Sequence, residues 1–282
     1  NPRHTLSFRR FFGFNTEAQK IKMSKEEEEI TSLKESVLCA QVAEDAMEYD
    51  VMASAMERVV SMRKLEPLNI EERRLLCSAW RNVTVRLRKA YKVIKNQMNK
   101  TEIKTDDMLP SILKDYLEET RESLKALCES VLKTLEEKLL PGLENKERTP
   151  YILESRTLYL KVKADNLRYL ASFCDLEKKK SYTELALKAY REAMNASQKL
   201  DVTNVVRLEL ALNFAVFYYN IMNSPSMAIE VAKDAYDQTV AKLEAVDEKD
   251  EYRDAIEMMK LLRDNLRSWA STDLSANILD GT

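Results

Sequence analysis

The segment from residue 160 to residue 171 reads LKVKADNLRYLA and predicts a helix that carries charged side chains beside apolar ones. At 3.6 residues per turn, Lys161, Asp165 and Arg168 share one face of this helix, and the two cations lie about 10 Å apart along it. Leucine and alanine side chains supply the packing surface elsewhere on the helix. Because a cation close to apolar packing requires an anion, we expect function to gather around this segment.

The composition predicts an all-α protein. The 282 residues include only three glycines and six prolines, so long intervals contain no residue that demands a turn. Charged residues make up 33% of the chain and nearly cancel to a net charge of −2, which favours long helices with solvated faces. This balance argues against a nucleic-acid partner. The absence of a run of roughly 20 apolar residues argues against a membrane-spanning segment.

The cysteines argue against metal and nucleophile chemistry. The four cysteines are widely spaced without a CxxC pair, and the only histidine is His4, near the start of the sequence. A zinc site needs closely placed thiolates or imidazoles, and a catalytic thiol needs a neighbouring base. We therefore expect no metal, no cofactor and no enzyme activity. Buried structural thiols favour a reducing, cytoplasmic location.

Apolar periodicity divides the chain into nine predicted helices. Cap signals mark four starts, at Asn69, at Asp106 or Asp107, at Asn204, and at Ser224 followed by Pro225. No repeat signature of a solenoid is present. The predicted domains are a flexible arm at 1–30, a single helical domain at 31–273 and a flexible tail at 274–282. The predicted helices span about 30–47, 49–62, 70–98, 107–140, 152–173 and 178–199; the seventh begins at Asn204 and stops at Asn223, the eighth begins at Pro225, and the ninth spans about 252–271.

Several motifs together closely resemble those of 14-3-3 proteins. Residues 210–219 read LALNFAVFYY and are followed by NSP at 223–225, while residues 261–266 read LLRDNL before Trp269. Further matches are YLK at 159–161, RYLA at 168–171, and EER at 71–73 before Asn82. The resemblance covers roughly residues 33–273. It implies nine antiparallel helices that form a cup with an amphipathic peptide groove.

The resemblance also implies a binding site for phosphoserine or phosphothreonine. By position in the motifs, the phosphate would be held by Arg81, Arg88, Arg168 and Tyr169, with Arg81 standing where most members carry lysine. Arginine forks bind phosphate oxygens bidentately, and a phenol can donate one further hydrogen bond. Arg81 and Arg88 are seven residues apart and share a helix face, as Lys161 and Arg168 do.

The rest of the implied groove combines amides, charged groups and an apolar wall. Two departures from the family pattern are Asn220, where glutamate is usual, and Ser268, where a wall leucine is usual. Periodicity alone also fits the apolar members as core residues. The groove residues implied by the resemblance are Lys161, Asp165, Leu212, Asn213, Val216, Leu261, Asn265 and Trp269.

The resemblance further implies a homodimer, although with an altered interface. The positions that commonly form salt bridges between subunits are here occupied by Glu48, Val51, Ser123 and Glu119, so those bridges are lost. A largely apolar patch remains and can support self-association. Its predicted members are Val42, Ala46, Ala90, Ile94 and Tyr116.

The leading interpretation is an adaptor that binds phosphorylated segments of client proteins and regulates them. The alternative is a 14-3-3-like helical scaffold that binds partners independently of phosphate, which the changes at Asn220 and Ser268 leave open. An enzyme is disfavoured because the sequence has neither a glycine-rich phosphate loop nor metal-ligand spacing.

Overall fold

The computed structural model describes residues 17–101, 108–245 and 252–279, and the described backbone contains nine α-helices and no strands. The prediction of an all-α fold is therefore confirmed. The helices are α1 (Glu17–Asp45), α2 (Tyr49–Arg63), α3 (Ile70–Thr101), α4 (Met108–Thr134), α5 (Pro150–Phe173), α6 (Leu176–Ser197), α7 (Val205–Asn220), α8 (Pro225–Glu244) and α9 (Arg253–Leu279).

Side-chain caps fix the starts of three helices. At α3 the Asn69 carboxamide oxygen accepts from the Glu72 backbone N–H at 2.9 Å, and the Glu72 carboxylate accepts from the Asn69 backbone N–H at 3.0 Å. This reciprocal pair satisfies two backbone donors that the helix itself cannot. Asn204 caps α7 through Arg207 at 3.2 Å, so both predicted asparagine caps are confirmed. Thr149 caps α5 in the same way.

The predicted start of α8 is only partly correct. Pro225 does occupy the first turn, where its missing N–H costs nothing. Ser224 precedes the helix, but its side chain makes no capping hydrogen bond. Asp106 and Asp107, the predicted caps of α4, lie outside the described residues.

Two helices extend beyond the predicted domain boundaries. Helix α1 begins at Glu17, earlier than the boundary at residue 31, and α9 continues to Leu279, past residue 273. The sequence of 17–30 is rich in glutamate and lysine, which have strong helix propensities. The prediction of a flexible arm at 1–30 rested on its charged composition, which also suits a solvated helix.

The predicted fourth helix changes its hydrogen-bonding pattern before it ends. After Thr134 the chain forms a π-helical turn at Leu135–Leu139, in which the Leu140 N–H donates to the Leu135 carbonyl at 2.9 Å. A 3₁₀ turn at Pro141–Leu143 follows. The prediction of a continuous α-helix up to residue 140 was therefore wrong. The buried leucines of the π-helical turn, Leu135 and Leu139, are four residues apart, so apolar periodicity alone does not distinguish this turn from an α-helix.

The chain divides into two compact units, and the prediction of one domain over 31–273 stays a prediction. The first unit comprises the described residues up to 64 together with 68–83. In this unit α1 packs against α2, and α2 buries Met52, Met56 and Val59. The ion pair between Arg63 and the buried Glu72, at 2.6 Å, ties α2 to the start of α3.

The second unit comprises 65–67 and the described residues from 84 onward, and its core is built from α5 to α9. Helix α6 buries Ala186, Ala189 and Ala193, small side chains that let neighbouring helices approach closely. Aromatic residues of α7 fill the remaining space, with Phe214 and Tyr218 at 4.5 Å between ring centroids. Helices α5 and α6 pack side by side across a short connection, which makes them antiparallel.

The described residues offer neither a membrane-spanning helix nor a metal-binding cluster. None of the helices in this part of the chain offers an apolar stretch sufficient to cross a membrane. The same residues contain no cluster of three or more histidine, cysteine or acidic side chains that could hold a metal ion.

We predict that Gly142→Ala destabilises the protein by about 1–3 kcal/mol through overpacking. A Cβ at this buried position would lie 2.8 Å from the Leu65 carbonyl oxygen, and this backbone atom cannot move aside as a flexible side chain would. Urea unfolding followed by far-UV circular dichroism measures the change in the free energy of unfolding. The exposed control Ser130→Ala should change that value by less than about 0.5 kcal/mol. Unchanged stability of Gly142→Ala would contradict the prediction.

Candidate functional site

Helix α5 carries the candidate site and is buried on most of its surface. Its first turn is fixed by Pro150 and by the Thr149 hydroxyl, which accepts from the Ile152 N–H at 3.3 Å. The buried residues of α5 include Lys161, Asp165 and Arg168, which are 5%, 7% and 9% exposed. Charged groups this far from water need partners, so the surrounding helices determine what the site can do.

The Asp165 carboxylate is the centre of a hydrogen-bonded cluster. Its Oδ1 atom accepts from the Tyr190 hydroxyl of α6 at 2.6 Å and from Nη2 of Arg168 at 3.4 Å. Its Oδ2 atom accepts from the Asn213 carboxamide of α7 at 2.8 Å. One carboxylate therefore joins α5, α6 and α7. The predicted residues Asp165, Arg168 and Asn213 come together here.

Tyr190 fixes the direction of the Arg168 side chain and was missed by the sequence analysis. The Nε–H of Arg168 donates to the Tyr190 hydroxyl at 3.0 Å, while that hydroxyl donates its own proton to Asp165. Tyr190 is 0% exposed, and its ring stacks on Phe214 with 5.0 Å between centroids. The ring resembles an ordinary core residue in the sequence. Only the contacts of its hydroxyl reveal its relation to the site.

The pKa shifts agree with this hydrogen-bond pattern. Burial, and then the nearby Asp165 carboxylate, raise the pKa of Tyr190 well above its ordinary value, so its hydroxyl keeps its proton as a donor to Asp165. Burial opposes the charge on Arg168, but attraction to the Tyr190 oxygen and to Asp165 outweighs it, and the pKa of Arg168 is raised. Arg168 is therefore a permanent cation within the core.

Tyr169 brings two predicted phosphate ligands to one place. The guanidinium carbon of Arg88, on α3, lies 4.3 Å from the Tyr169 ring centroid, and that of Arg168 lies 4.6 Å from it. These distances are typical of cation–π contacts. Arg88 is exposed and forms no ion pair within the described part of the chain. Two cations and one phenol thus converge on a partly exposed position.

Arg81 is exposed on α3, in the first unit, whereas Arg88 belongs to the second. The two arginines are seven residues apart on one continuous helix, so the spacing that suggested a shared face is present. The role of Arg81 in binding phosphate stays a prediction from the family resemblance.

Lys161 lies two turns from Arg168 and has a carboxylate partner that the sequence analysis also missed. Its ammonium is 2.9 Å from Oε2 of Glu209, on α7, and 3.8 Å from Oδ2 of Asp165. Glu209 stands between Leu208 and Leu210 in a predominantly apolar helix. A carboxylate between two leucines needs a cationic partner, so the sequence alone could have indicated an ion pair at Glu209.

The predicted groove wall divides between partly exposed and buried residues. Leu212 and Val216 of α7 are partly buried and pack against the core, while Leu261 of α9 is 45% exposed. Trp269 is 5% exposed and stacks on Tyr219, with 5.0 Å between centroids, so it is part of the core in this structure.

The carboxamide of Asn265, the remaining predicted groove residue, donates to the Leu261 carbonyl of its own helix at 2.8 Å. This hydrogen bond is exposed, although Asn265 itself is half-buried. Asn213, in contrast, is engaged with Asp165 across two helices. The two predicted groove amides are therefore held in different ways.

The predicted dimer residues differ in their exposure. In the first unit Val42 is 59% exposed, Ala46 is exposed, and both line an apolar surface groove together with Leu38 and Val51. In the second unit Tyr116 is 52% exposed and Ala90 is partly buried, whereas Ile94 is 5% exposed and so is covered by the chain itself. The first unit therefore offers the clearer apolar surface.

Comparison with known proteins gives a consistent result. The family model described as 14-3-3 protein matches residues 39–270. The chain is 38% identical over 242 residues to 14-3-3-like protein A of Vicia faba, an alignment that covers 86% of this chain and 90% of the relative. It is 39% identical over 245 residues to the 14-3-3 protein homolog of Candida albicans, covering 86% and 88% respectively. The chain belongs to the 14-3-3 family, as its sequence motifs predicted.

Proposed function

We propose that this 14-3-3 protein is a non-enzymatic adaptor that binds phosphoserine or phosphothreonine segments of client proteins and thereby regulates them. Family membership supports a phosphopeptide-binding adaptor role in general. The observation that carries the finer proposal is the convergence of Arg88 and Arg168 on the ring of Tyr169. A phosphate monoester carries nearly two negative charges and three acceptor oxygens, which suits two guanidiniums and a phenol.

The two arginines have complementary properties for this task. Arg168 is held by Tyr190 and Asp165, so little side-chain entropy remains to be lost when an anion binds. Of the five N–H groups of a guanidinium, these two contacts use one on Nε and one on Nη2, and the others can bind phosphate oxygens. Arg88 is exposed and can adjust to the ligand. Arg168, which is fixed, and Arg88, which can adjust, together support tight binding of the phosphate in peptides of different sequence.

The same geometry supports a sequence-tolerant peptide site. Leu212, Val216 and Leu261 offer partly exposed apolar contact, which discriminates weakly among side chains. We propose that the protein acts in the cytoplasm on protein partners, with neither a membrane nor a nucleic acid as its target. Its net charge of −2 is consistent with that choice.

We predict that Arg88→Ala weakens phosphopeptide binding at least tenfold, because it removes a charge-assisted contact to the phosphate. Fluorescence anisotropy with a degenerate peptide library around a fixed phosphoserine, and with the same library carrying serine, measures the effect. The wild-type protein should prefer the phosphorylated library. Arg88 is exposed, so the variant should keep its helical content. The matched control is Arg191→Ala, which removes an exposed arginine of a different helix, α6, and should bind the phosphorylated library normally.

Equal affinity of the wild-type protein for both libraries would refute the proposed function. It would favour the alternative, a helical scaffold that binds partners independently of phosphate. Loss of binding in both arginine variants would indicate a general effect of charge and not a defined phosphate contact.

We predict that Tyr190→Phe weakens phosphopeptide binding about fivefold, although Tyr190 is 0% exposed. The substitution keeps the ring stacked on Phe214 but removes the hydrogen bond that directs Arg168. The loss should be confined to the phosphorylated library, a result that a general loss of stability would not produce. Tyr236→Phe, at a partly buried tyrosine of α8, is the control. Unchanged affinity would mean that Arg168 does not need Tyr190 for its position.

We propose a homodimer, in which two sites on one assembly bind doubly phosphorylated clients with an avidity gain. The exposed apolar groove around Val42 supports this, because isolated monomers rarely leave such surfaces uncovered.

We predict that Val42→Glu weakens dimerisation at least tenfold, since a two-fold interface would bury the new charge twice. Sedimentation velocity at micromolar concentration measures the change. Leu185→Glu, at an exposed leucine of α6, should leave the dimer intact. A wild-type protein that sediments only as a monomer at this concentration would contradict the proposal.

A further inference from the structure

A charged pocket lies between the first turns of α5, the last turns of α6 and the connection that precedes α5. Its volume is about 640 Å³, within the range of pockets that hold small molecules. All of its lining residues belong to the second unit. The apolar part of the lining consists of Leu143, Ile152, Leu153, Leu160 and Ala196.

The pocket is separate from the candidate functional site, although both use α5. Arg156 lines the pocket, whereas Asp165 is the centre of the hydrogen-bonded cluster described above. These residues are nine positions apart, or about two and a half helical turns, so their side chains leave opposite sides of the helix. A ligand in the pocket would therefore not occupy the candidate functional site.

The charged part of the lining has more cations than carboxylates. Lys146 is paired with Glu66, which lies outside the pocket lining, at 2.9 Å. Arg156 is 3.7 Å from Glu192 in a half-exposed pair. The cations of the lining are Lys146, Arg148, Arg156 and Lys199, and its carboxylates are Glu144 and Glu192. The lining therefore carries two uncompensated positive charges.

Two of these cations lie at the same end of the pocket. Arg148 comes two residues before α5 begins, and Lys199 comes two residues after α6 ends. Because α5 and α6 are antiparallel, the start of one helix lies beside the end of the other. Neither Arg148 nor Lys199 forms an ion pair within the part of the chain that the structure describes. From this cationic end, the apolar wall continues along α5 from Ile152 to Leu160.

We propose that the pocket binds a small phosphate monoester with an aromatic or apolar body. A phosphate monoester carries close to two negative charges near neutral pH, which matches the charge of the lining. The Arg148 guanidinium can donate two parallel hydrogen bonds to phosphate oxygens, and the Lys199 ammonium supplies a second positive charge. The body of the ligand then packs against the apolar wall. This site goes beyond the proposed function, because it requires neither a client protein nor the arginines beside Tyr169.

The test uses 1-naphthyl phosphate as the probe, with 1-naphthol and inorganic phosphate as its two separate parts. Isothermal titration calorimetry measures the affinity of the wild-type protein for each compound. We expect 1-naphthyl phosphate to bind at least tenfold more tightly than either part, because only the whole molecule contacts both the cationic end and the apolar wall.

Two variants should change this affinity in opposite directions. Arg148→Gln should weaken the binding of 1-naphthyl phosphate at least tenfold, because it removes a charge-assisted contact. Glu144→Gln should strengthen it about twofold, because it removes a carboxylate that repels the phosphate. Both residues are exposed, so circular dichroism should show unchanged helical content. The matched control is Arg191→Gln, at an exposed arginine of α6 that does not line the pocket.

Arg88→Ala distinguishes the pocket from the proposed phosphopeptide site and should leave the affinity for 1-naphthyl phosphate unchanged. Loss of binding in Arg88→Ala with normal binding in Arg148→Gln would place the probe beside Tyr169 and overturn the proposal. Equal affinity for 1-naphthyl phosphate and inorganic phosphate, or no binding of either, would also overturn it. The proposed function is tested separately by the phosphoserine library, so either conclusion can fail without the other.

Discussion

The buried Asp165 carboxylate is the constraint on which the rest of the site depends. Arg168 would be costly to bury alone, and removing one partner from a buried ion pair typically costs about 3–5 kcal/mol. Asp165 supplies the opposite charge, and Tyr190 and Asn213 satisfy its remaining acceptor capacity. Because these partners come from three helices, correct packing of α5, α6 and α7 also fixes the direction of the arginine.

A second consequence is that the proposed phosphate site is prepared before any ligand arrives. Arg168 stays charged in the core because nearby electronegative atoms compensate it and raise its pKa. The same atoms compete with the ligand for the guanidinium, so Arg168 alone would bind an anion weakly. Arg88 lacks such competition within the described residues and adds attraction at the exposed side of Tyr169. Fixed geometry and available charge are thus supplied by different arginines.

Local sequence signals predicted the two helix starts that asparagine side chains cap. The caps at Asn69 and Asn204 depend on contacts within three residues, so their chemistry is visible in the sequence. The π-helical turn after Thr134 buries Leu135 and Leu139, whose spacing of four residues is equally compatible with an α-helix. The start of α1 at Glu17 was missed for a different reason, because a charged run fits both a solvated helix and an arm. The prediction of an all-α fold is unaffected by these errors, because it used the apolar periodicity of the whole chain and not any one helix boundary.

The candidate site shows a similar division. The family motifs identified Arg88, Arg168 and Tyr169, and the structure brings these residues together. The motifs did not identify Tyr190 or Glu209, whose roles depend on contacts with residues on another helix. Lys161 is the instructive case. Its sequence position suggests a cation available to the peptide, whereas its contacts show one already compensated by Glu209 and Asp165. The identity of a predicted groove residue therefore does not define the charge at its position, since the more exposed partner of Lys161 is the carboxylate of Glu209.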